Sequence, residues 1–139
     1  MIKVYIAAPF SMQQEAERIQ RVLELKKMKV TARWITMEKA EIRDEPYLQM
    51  WAQNDLDDVA AADVLLAISP FEYIEKGTGG RHVELGYALA LKIPVILYGF
   101  PTNIFHHHPL VKCIDGGDFI KAIQNAAETR KTQSSDSAS

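Results

Sequence analysis

Three short runs of this sequence are almost entirely apolar, and they restrict the chain to a small group of folds. They cover residues 2–8, 64–68 and 94–98 and are rich in β-forming side chains. A strand that lacks polar alternation is typical of a parallel sheet whose two faces are both covered. Because segments with helical spacing separate these runs, the pattern predicts an α/β fold with helices on both faces of one parallel sheet.

Five strands and four helices are predicted in alternation. The strands cover residues 2–8, 30–36, 64–68, 94–98 and 110–114, and the helices cover residues 12–28, 47–61, 81–92 and 118–130. The common doubly wound arrangement of five strands is flavodoxin-like, in the order 2-1-3-4-5. Strands 1 and 3 are then neighbours, and the ligand crevice of such a sheet lies at their carboxyl ends. We therefore expect the loops that follow strands 1 and 3 to flank one site.

The length and composition are those of an ordinary globular enzyme. The 139 residues predict one domain over residues 1–130, followed by a polar, serine-rich tail at residues 131–139 that we expect to be disordered. A formal net charge of -2 argues against a partner such as a nucleic acid polymer or a membrane surface. Cys113 is the single cysteine, so no internal disulfide forms. The first apolar run is too short for a signal peptide, and we expect a cytoplasmic location.

A glycine-rich segment follows strand 3 and leads into a helix. It contains Gly77, Thr78, Gly79 and Gly80, and Glu84 lies in the first turns of the helix. No Gly-Lys-Ser/Thr follows, so the segment is not a P-loop, and its spacing does not match the dinucleotide fingerprint. A carboxylate in the first turns feels the positive end of the helix dipole, which favours its ionised form. An anionic glutamate at this edge of the sheet is a candidate nucleophile or base.

Two other clusters attract attention and have simpler interpretations. Asp55 and Asp58 share one face of the second helix, which is equally expected of a solvated helix surface. Asp55 lies far enough along the helix to reach the crevice. Three consecutive histidines, His106, His107 and His108, point in different directions on any regular backbone, and no metal site is predicted for them.

Several short motifs occur in the order and spacing of a known family. They are VYIAAPF at residues 4–10, NDL at 54–56, ADV at 62–64, VELGYA at 83–88 and KIPV at 92–95. Over residues 2–99 the chain resembles the nucleoside 2-deoxyribosyltransferase superfamily. That superfamily has a flavodoxin-like fold and also contains relatives that hydrolyse nucleoside 5'-monophosphates at the same bond. The resemblance therefore implies an enzyme that cleaves an N-glycosidic bond.

The resemblance also implies roles for three residues. Glu84 matches the glutamate that attacks C1' of the sugar and forms a glycosyl-enzyme intermediate. Asp55 matches the aspartate that assists the departing base and positions the sugar, and Tyr5 matches the tyrosine that orients the nucleophile. This division suits the chemistry, because the transition state develops positive charge on the sugar and negative charge on the base. No metal or organic cofactor is required.

The resemblance implies that further residues bind the substrate. Their side chains do not decide between sugar transfer and hydrolysis. These residues are Ala8, Pro9 and Phe10 after strand 1 and Gly77, Thr78, Gly79, Gly80, Arg81 and His82 before Glu84. Transferases of the superfamily often have an aspartate where this chain has Thr78, and a hydroxyl residue there is more similar to the nucleotide hydrolases.

Three functions therefore remain under consideration. The first is transfer of the sugar from a nucleoside to a free nucleobase. The second is hydrolysis of 5'-monophosphates, with Arg81, His82 and the segment His106 to His108 as candidates for the phosphate pocket. The third is a nucleotide-binding module without catalysis. The resemblance also implies a homo-oligomer.

Overall fold

A parallel sheet organises the molecule. The computed structural model describes residues 1–38, 40–70 and 79–137, and within them five parallel strands lie in the order β2-β1-β3-β4-β5. The strands are β1 (Lys3–Ala7), β2 (Lys29–Val30), β3 (Val64–Ser69), β4 (Val95–Gly99) and β5 (Val111–Ile114). The predicted α/β, flavodoxin-like order 2-1-3-4-5 is confirmed.

The helices alternate with the strands. They are α1 (Gln13–Leu25), α2 (Glu45–Ala60), α3 (Gly80–Ala90) and α4 (Phe119–Ser137), with short 3-10 turns at Phe10–Met12, Arg33–Thr36 and Ile104–His107. Right-handed crossovers place α1 on one face of the sheet and α2 and α3 on the other, and α2 and α3 pack against each other. None of the helices in the described part of the chain is long and apolar enough to cross a membrane.

The central strands form the core because both faces of the sheet are covered. All six residues of β3 are buried, and in β1 the residues Val4 to Ala7 are buried as well. Tyr5 is opposite Leu65 in the register between β1 and β3. Gly99 ends β4 with φ of 127°, and a Cβ atom there would lie 1.8 Å from the carbonyl oxygen of Ser69. This position therefore excludes every other residue type.

The second strand is much shorter than predicted. The sequence led us to expect a strand over residues 30–36, but β2 ends at Val30 and a 3-10 turn begins at Arg33. The reason is tertiary: the backbone N–H of Arg33 donates to Asp58 of α2 at 3.0 Å instead of to a neighbouring strand. The indole of Trp34 donates to the carbonyl of Ile6 at 2.9 Å, which also holds this segment off the sheet ladder.

Two helix ends also differ from the prediction. Helix α1 ends at Leu25 and not at residue 28, because Lys27 adopts a φ of 62° and reverses the chain direction. Helix α4 continues to Ser137, so the backbone of residues 131–137 is helical where a disordered tail was expected. The predicted extent of the single domain stays a prediction.

Candidate active site

Glu84 projects from the start of α3 towards the sheet. Gly79 is the N-cap residue and adopts a φ of 86°, so α3 begins at Gly80, the last residue of the glycine-rich segment. Leu85 and Ala88 form the buried side of the helix, and this fixes the rotation of α3 over β1 and β3. Glu84 lies beside them, partly buried. The phenol of Tyr5 in β1 donates a hydrogen bond to Glu84 Oε2.

Burial controls the protonation of this pair. It raises the pKa of the Tyr5 hydroxyl far above its usual range, and the charge of Glu84 adds to the effect. Tyr5 therefore stays protonated and acts only as a donor. Burial also raises the pKa of Glu84 from 4.5 to about 8, while the hydrogen bond from Tyr5 opposes that rise. The site thus holds a carboxyl group that ionises near neutral pH, as acid-base and nucleophilic groups of enzymes commonly do.

Asp55 on α2 belongs to the same electrostatic environment. Its charge raises the pKa of both Glu84 and Tyr5. Burial raises the pKa of Asp55 itself to about 6, and the nearby carboxylate of Asp58 adds to this shift. The Oδ1 atom of Asp55 is buried and has no hydrogen-bond partner among the described residues. Such a group is available to a substrate.

The loop after β1 provides an aromatic surface next to these carboxyl groups. Ala8 and Pro9 are buried, whereas Phe10 is 45% exposed. The Phe10 ring lies 6.3 Å from the ring of Trp34, measured between centroids. Because Trp34 is fixed by its bond to Ile6, the partly exposed ring of Phe10 rests on a rigid partner. An exposed aromatic face of this kind suits stacking with a planar base.

A cationic and imidazole cluster lies at the N-terminus of α3. Arg81 Nε is 3.4 Å from His82 Nε2, and the His82 and His106 rings are 5.8 Å apart between centroids. The amide nitrogen of Asn103 lies 3.3 Å from His82 Nδ1 and 3.5 Å from His106 Nε2. His106 Nδ1 accepts a hydrogen bond from the backbone of Thr102 at 2.9 Å, which places the proton of the neutral ring on Nε2.

Burial makes this cluster receptive to an anion. It lowers the pKa of Arg81, and it lowers the pKa of His82 and His106, each of which also faces the charge of Arg81. The Nη1 atom of Arg81 is buried without a hydrogen-bond partner among the described residues. An unpaired guanidinium nitrogen in a partly desolvated place favours a bound anion.

The structure describes only some of the remaining positions that the sequence singled out. Gly80 is exposed on the first turn of α3, whereas Gly77 and Thr78 lie outside the described residues. His107 is exposed, although its charge contributes to the lowered pKa of His106, and His108 Nδ1 accepts from the backbone of Leu110 at 3.0 Å. Within residues 1–38, 40–70 and 79–137, no three histidine, cysteine or acidic side chains converge in a way that would hold a metal ion.

Two cavities formed by described residues lie at opposite edges of the sheet. The smaller, of about 10 Å³, lies between the ends of β1 and β3 and the cationic cluster, and its lining includes Ala7, Ser69, Arg81, His82 and His106. A larger cavity of about 230 Å³ lies under α4, and its lining includes Pro94, Val95 and Leu110 at the starts of β4 and β5. Size alone would favour the larger one. Arg81, whose Nη1 atom has no hydrogen-bond partner among the described residues, instead lines the smaller one.

Comparison with known proteins identifies the family. Residues 4–128 match the family described as Nucleoside 2-deoxyribosyltransferase. The chain belongs to this family. It is therefore an enzyme that acts on the N-glycosidic bond, as the motifs predicted. No curated protein sequence matches it significantly.

Solved structures share the fold at low sequence identity. The 2-deoxyribosyltransferase of Bacillus psychrosaccharolyticus is 24% identical, with a TM-score of 0.64 over 86% of this chain and 94% of that chain. The CMP N-glycosidase BcmB of Clostridium botulinum is 22% identical, with a TM-score of 0.55 over 88% and 96% of the two chains. A 2-deoxyribosyltransferase of Leishmania mexicana is 20% identical, with a TM-score of 0.52 over 74% and 67%. At these identities the likeness establishes a shared fold.

Several residues of the site were not singled out from the sequence. Trp34 was assigned to a strand, and Asp58 was interpreted as part of a solvated helix face although it is 7% exposed. Asn103 begins the 3-10 turn that carries His106, since its side chain accepts from the backbone of Phe105 and His106. An asparagine directly before a short helical segment is a capping signal, and it was available in the sequence.

Proposed function

We propose that this protein is a nucleoside 2-deoxyribosyltransferase-like enzyme that works through a covalent glycosyl-Glu84 intermediate. The observation that carries the proposal is the hydrogen bond from Tyr5 to Glu84, because it joins a permanent donor to a carboxyl group that ionises near neutral pH. Tyr5 occupies one Glu84 oxygen, Oε2, and so orients the other towards C1' of a bound sugar.

The reaction follows from the positions of the two carboxyl groups. In the first step a Glu84 oxygen attacks C1' as the bond between C1' and the base nitrogen breaks, and the base leaves with the electron pair. The reacting form of the pair is the one in which Glu84 is ionised and Asp55 carries the proton, a minor fraction at pH 7 because the pKa of Asp55 is raised only to about 6 and that of Glu84 to about 8. Asp55 gives this proton to the departing base. In the second step the nitrogen of another base attacks C1', Glu84 leaves as carboxylate, and the proton returns to Asp55. Phe10 supplies a stacking surface for the base.

Substitution of the nucleophile tests this mechanism. In Glu84→Gln the amide oxygen still accepts from Tyr5, so the geometry is kept while the attacking carboxylate is lost. We expect turnover to fall by at least about three orders of magnitude while nucleoside binding persists. Glu128→Gln, an exposed change on α4, is the matched control. Unchanged turnover in Glu84→Gln would exclude Glu84 as the nucleophile, whereas a wild-type protein that binds nucleosides without turnover would favour a non-catalytic binding module.

Hydrolysis of nucleoside 5'-monophosphates is the second candidate, and the unpaired Arg81 Nη1 favours it. A phosphate at the N-terminus of α3 would meet Arg81, His82 and His106, and its charge would raise the lowered pKa values of the two imidazoles. Binding would therefore take up protons.

One set of assays separates the two reactions. Purified protein is incubated with deoxynucleosides and with their 5'-monophosphates, each with and without a second free base, and the products are resolved by chromatography. A new nucleoside that requires the second base establishes transfer. Free base released from monophosphates alone establishes hydrolysis. In that case Arg81→Gln would reduce the kcat/KM for monophosphates and leave the value for nucleosides unchanged.

The assembly and location are also proposals. Val83 and Tyr87 are exposed on α3, the helix that carries Glu84, and Leu91 is exposed at its C-cap. An apolar stripe beside the site suits a homo-oligomer whose interface lies close to the substrate. Sedimentation equilibrium of the protein and of Val83→Glu tests this, and a monomeric wild-type protein would exclude it. A cytoplasmic location stays a prediction, to be checked by fractionation of cells that express the protein.

A further inference from the structure

A second carboxylate of α2 is more deeply buried than Asp55 and has no part in the reaction described above. Asp58 is 7% exposed and lies one helical turn after Asp55. It accepts hydrogen bonds from the backbone nitrogen of Arg33 at 3.0 Å and from Arg33 Nε at 3.0 Å, and Arg33 Nη2 lies 2.9 Å from Asp58 Oδ1. These hydrogen bonds and the ion pair with Arg33 offset the cost of burying the Asp58 carboxylate.

The same pair ties α2 to the segment that follows β2. Thr31 Oγ1 donates to the backbone carbonyl of Asp58 at 2.7 Å. Arg33 begins the 3-10 turn that contains Trp34, and Trp34 contacts Phe10. The bonds at Asp58 therefore hold two parts of the site in one geometry: the turn of α2 that carries Asp55, and the aromatic surface beside it.

Four ionisable groups face Asp55 from the neighbouring elements. They are Asp58 on the same helix, Arg33 on the 3-10 turn, Glu84 on α3 and Tyr5 in β1. The charge of Asp58 raises the pKa of Asp55, whereas the charge of Arg33 lowers it by less. This order has a physical reason. The Arg33 side chain is 54% exposed and is screened by water, while the Asp58 carboxylate is only 9% exposed and acts at close range.

We propose that Asp58 and Arg33 are positioning residues for Asp55. Their ion pair fixes the turn of α2 that carries Asp55, and the Asp58 carboxylate favours the protonated form of Asp55 that serves the departing base. The inference rests on the proposed function in one respect, namely that Asp55 is the proton donor.

Three variants separate the charge from the anchoring contacts. Asp58→Asn removes the charge and keeps the shape, and we expect the limbs of the pH profile of kcat/KM to move to lower pH by roughly half a unit to one unit. Arg33→Lys keeps the positive charge but loses the bidentate contact of the guanidinium with Asp58. We therefore expect kcat to fall about tenfold, with little change in KM or in the limbs of the pH profile. Asp57→Asn is the matched control. Asp57 is exposed on the same helix and accepts from Gln53, and its removal should leave both quantities unchanged.

A second measurement does not depend on turnover. The carboxyl carbon of Asp55 is titrated by ¹³C NMR in the wild type and in Asp58→Asn, and its titration should move to lower pH in the variant. If Asp58→Asn does not fold, Arg33→Lys carries the test of the anchoring contacts. It keeps the cation that faces Asp55, so kcat should fall while the titration of Asp55 stays where it is in the wild type.

The outcomes separate this inference from the proposed function. An NMR shift without any glycosidic activity would leave the pairing intact and reject the proposed function. Normal activity with an Asp55 titration that is the same in the wild type and Asp58→Asn would reject the pairing. An equal shift in Asp57→Asn would also reject it, because the effect would then be one of overall charge.

Discussion

The Tyr5 hydroxyl is the most direct point at which to test the site. Tyr5→Phe removes one oxygen from a fully buried ring and leaves the packing of β1 unchanged. Glu84 then loses the donor that stabilises its ionised form. The pKa of Glu84, already raised to about 8 by burial, should therefore rise further.

The expected rise in the pKa of Glu84 follows from the strength of the hydrogen bond that Tyr5 donates to it. A bond to a charged group contributes about 1.5–3 kcal/mol, and the lower half of this range applies because Glu84 is partly exposed. Since 1.36 kcal/mol corresponds to one pKa unit, the expected rise is about one to one and a half units. At pH 7 the nucleophile is mostly protonated in both proteins. The ionised fraction, and with it kcat/KM, should therefore fall about tenfold to thirtyfold.

The assay is kcat/KM for a deoxynucleoside between pH 5 and pH 10, in the wild type and in Tyr5→Phe. The rates of the variant should be lower below about pH 8, its descending limb should begin at higher pH, and the rates should converge at the alkaline end, where Glu84 is ionised in both proteins. Tyr87→Phe is the matched control, because Tyr87 is exposed on α3, the helix of Glu84, three residues after Glu84. A profile of Tyr5→Phe that coincides with the wild-type profile at every pH would refute the assigned role.

Three further predictions follow from the same structure. The pH profile of kcat/KM should have a broad maximum between about pH 6 and about pH 8, the values to which burial raises the pKa of Asp55 and Glu84, and should fall on both sides of it; a profile that is flat from pH 5 to pH 10 would contradict the pairing. The pKa of Glu84 in the folded state, about 8, lies above its ordinary value of 4.5. The resulting contribution to the free energy of unfolding is therefore fully present below pH 4.5 and is lost as the pH rises through about 8. Glu84→Gln should therefore gain stability over the wild type by up to a few kcal/mol between pH 5 and pH 9 in denaturant titrations, and a constant difference would argue against a buried ionisable Glu84. Gly99→Ala should lower the free energy of unfolding by about 2–4 kcal/mol, because its Cβ would meet the carbonyl of Ser69 at a positive φ; chemical denaturation measures this, and wild-type stability would contradict it.

The fold was accessible from the sequence because its strongest signals are local. A strand buried on both faces has to be apolar along its length, so β1, β3 and β4 were recognised directly. The alternation with helices predicted a parallel sheet, and the strand order was that of the common five-strand doubly wound arrangement. The segment after β2 was predicted wrongly, since the partner that replaces its sheet bonds, Asp58, lies 25 residues later in the chain.

The sequence by itself determined the parallel sheet, its order and the family, because these depend on periodic burial and on short motifs within single loops and helices. It also pointed to Glu84, Asp55 and Tyr5 one by one. Only the tertiary structure decided how they act on one another. The hydrogen bond from Tyr5 spans 79 residues, and the raised pKa values of Glu84 and Asp55 arise from burial between α2, α3 and β1. Desolvation and charge proximity are properties of the folded chain, and no local pattern of residues encodes them.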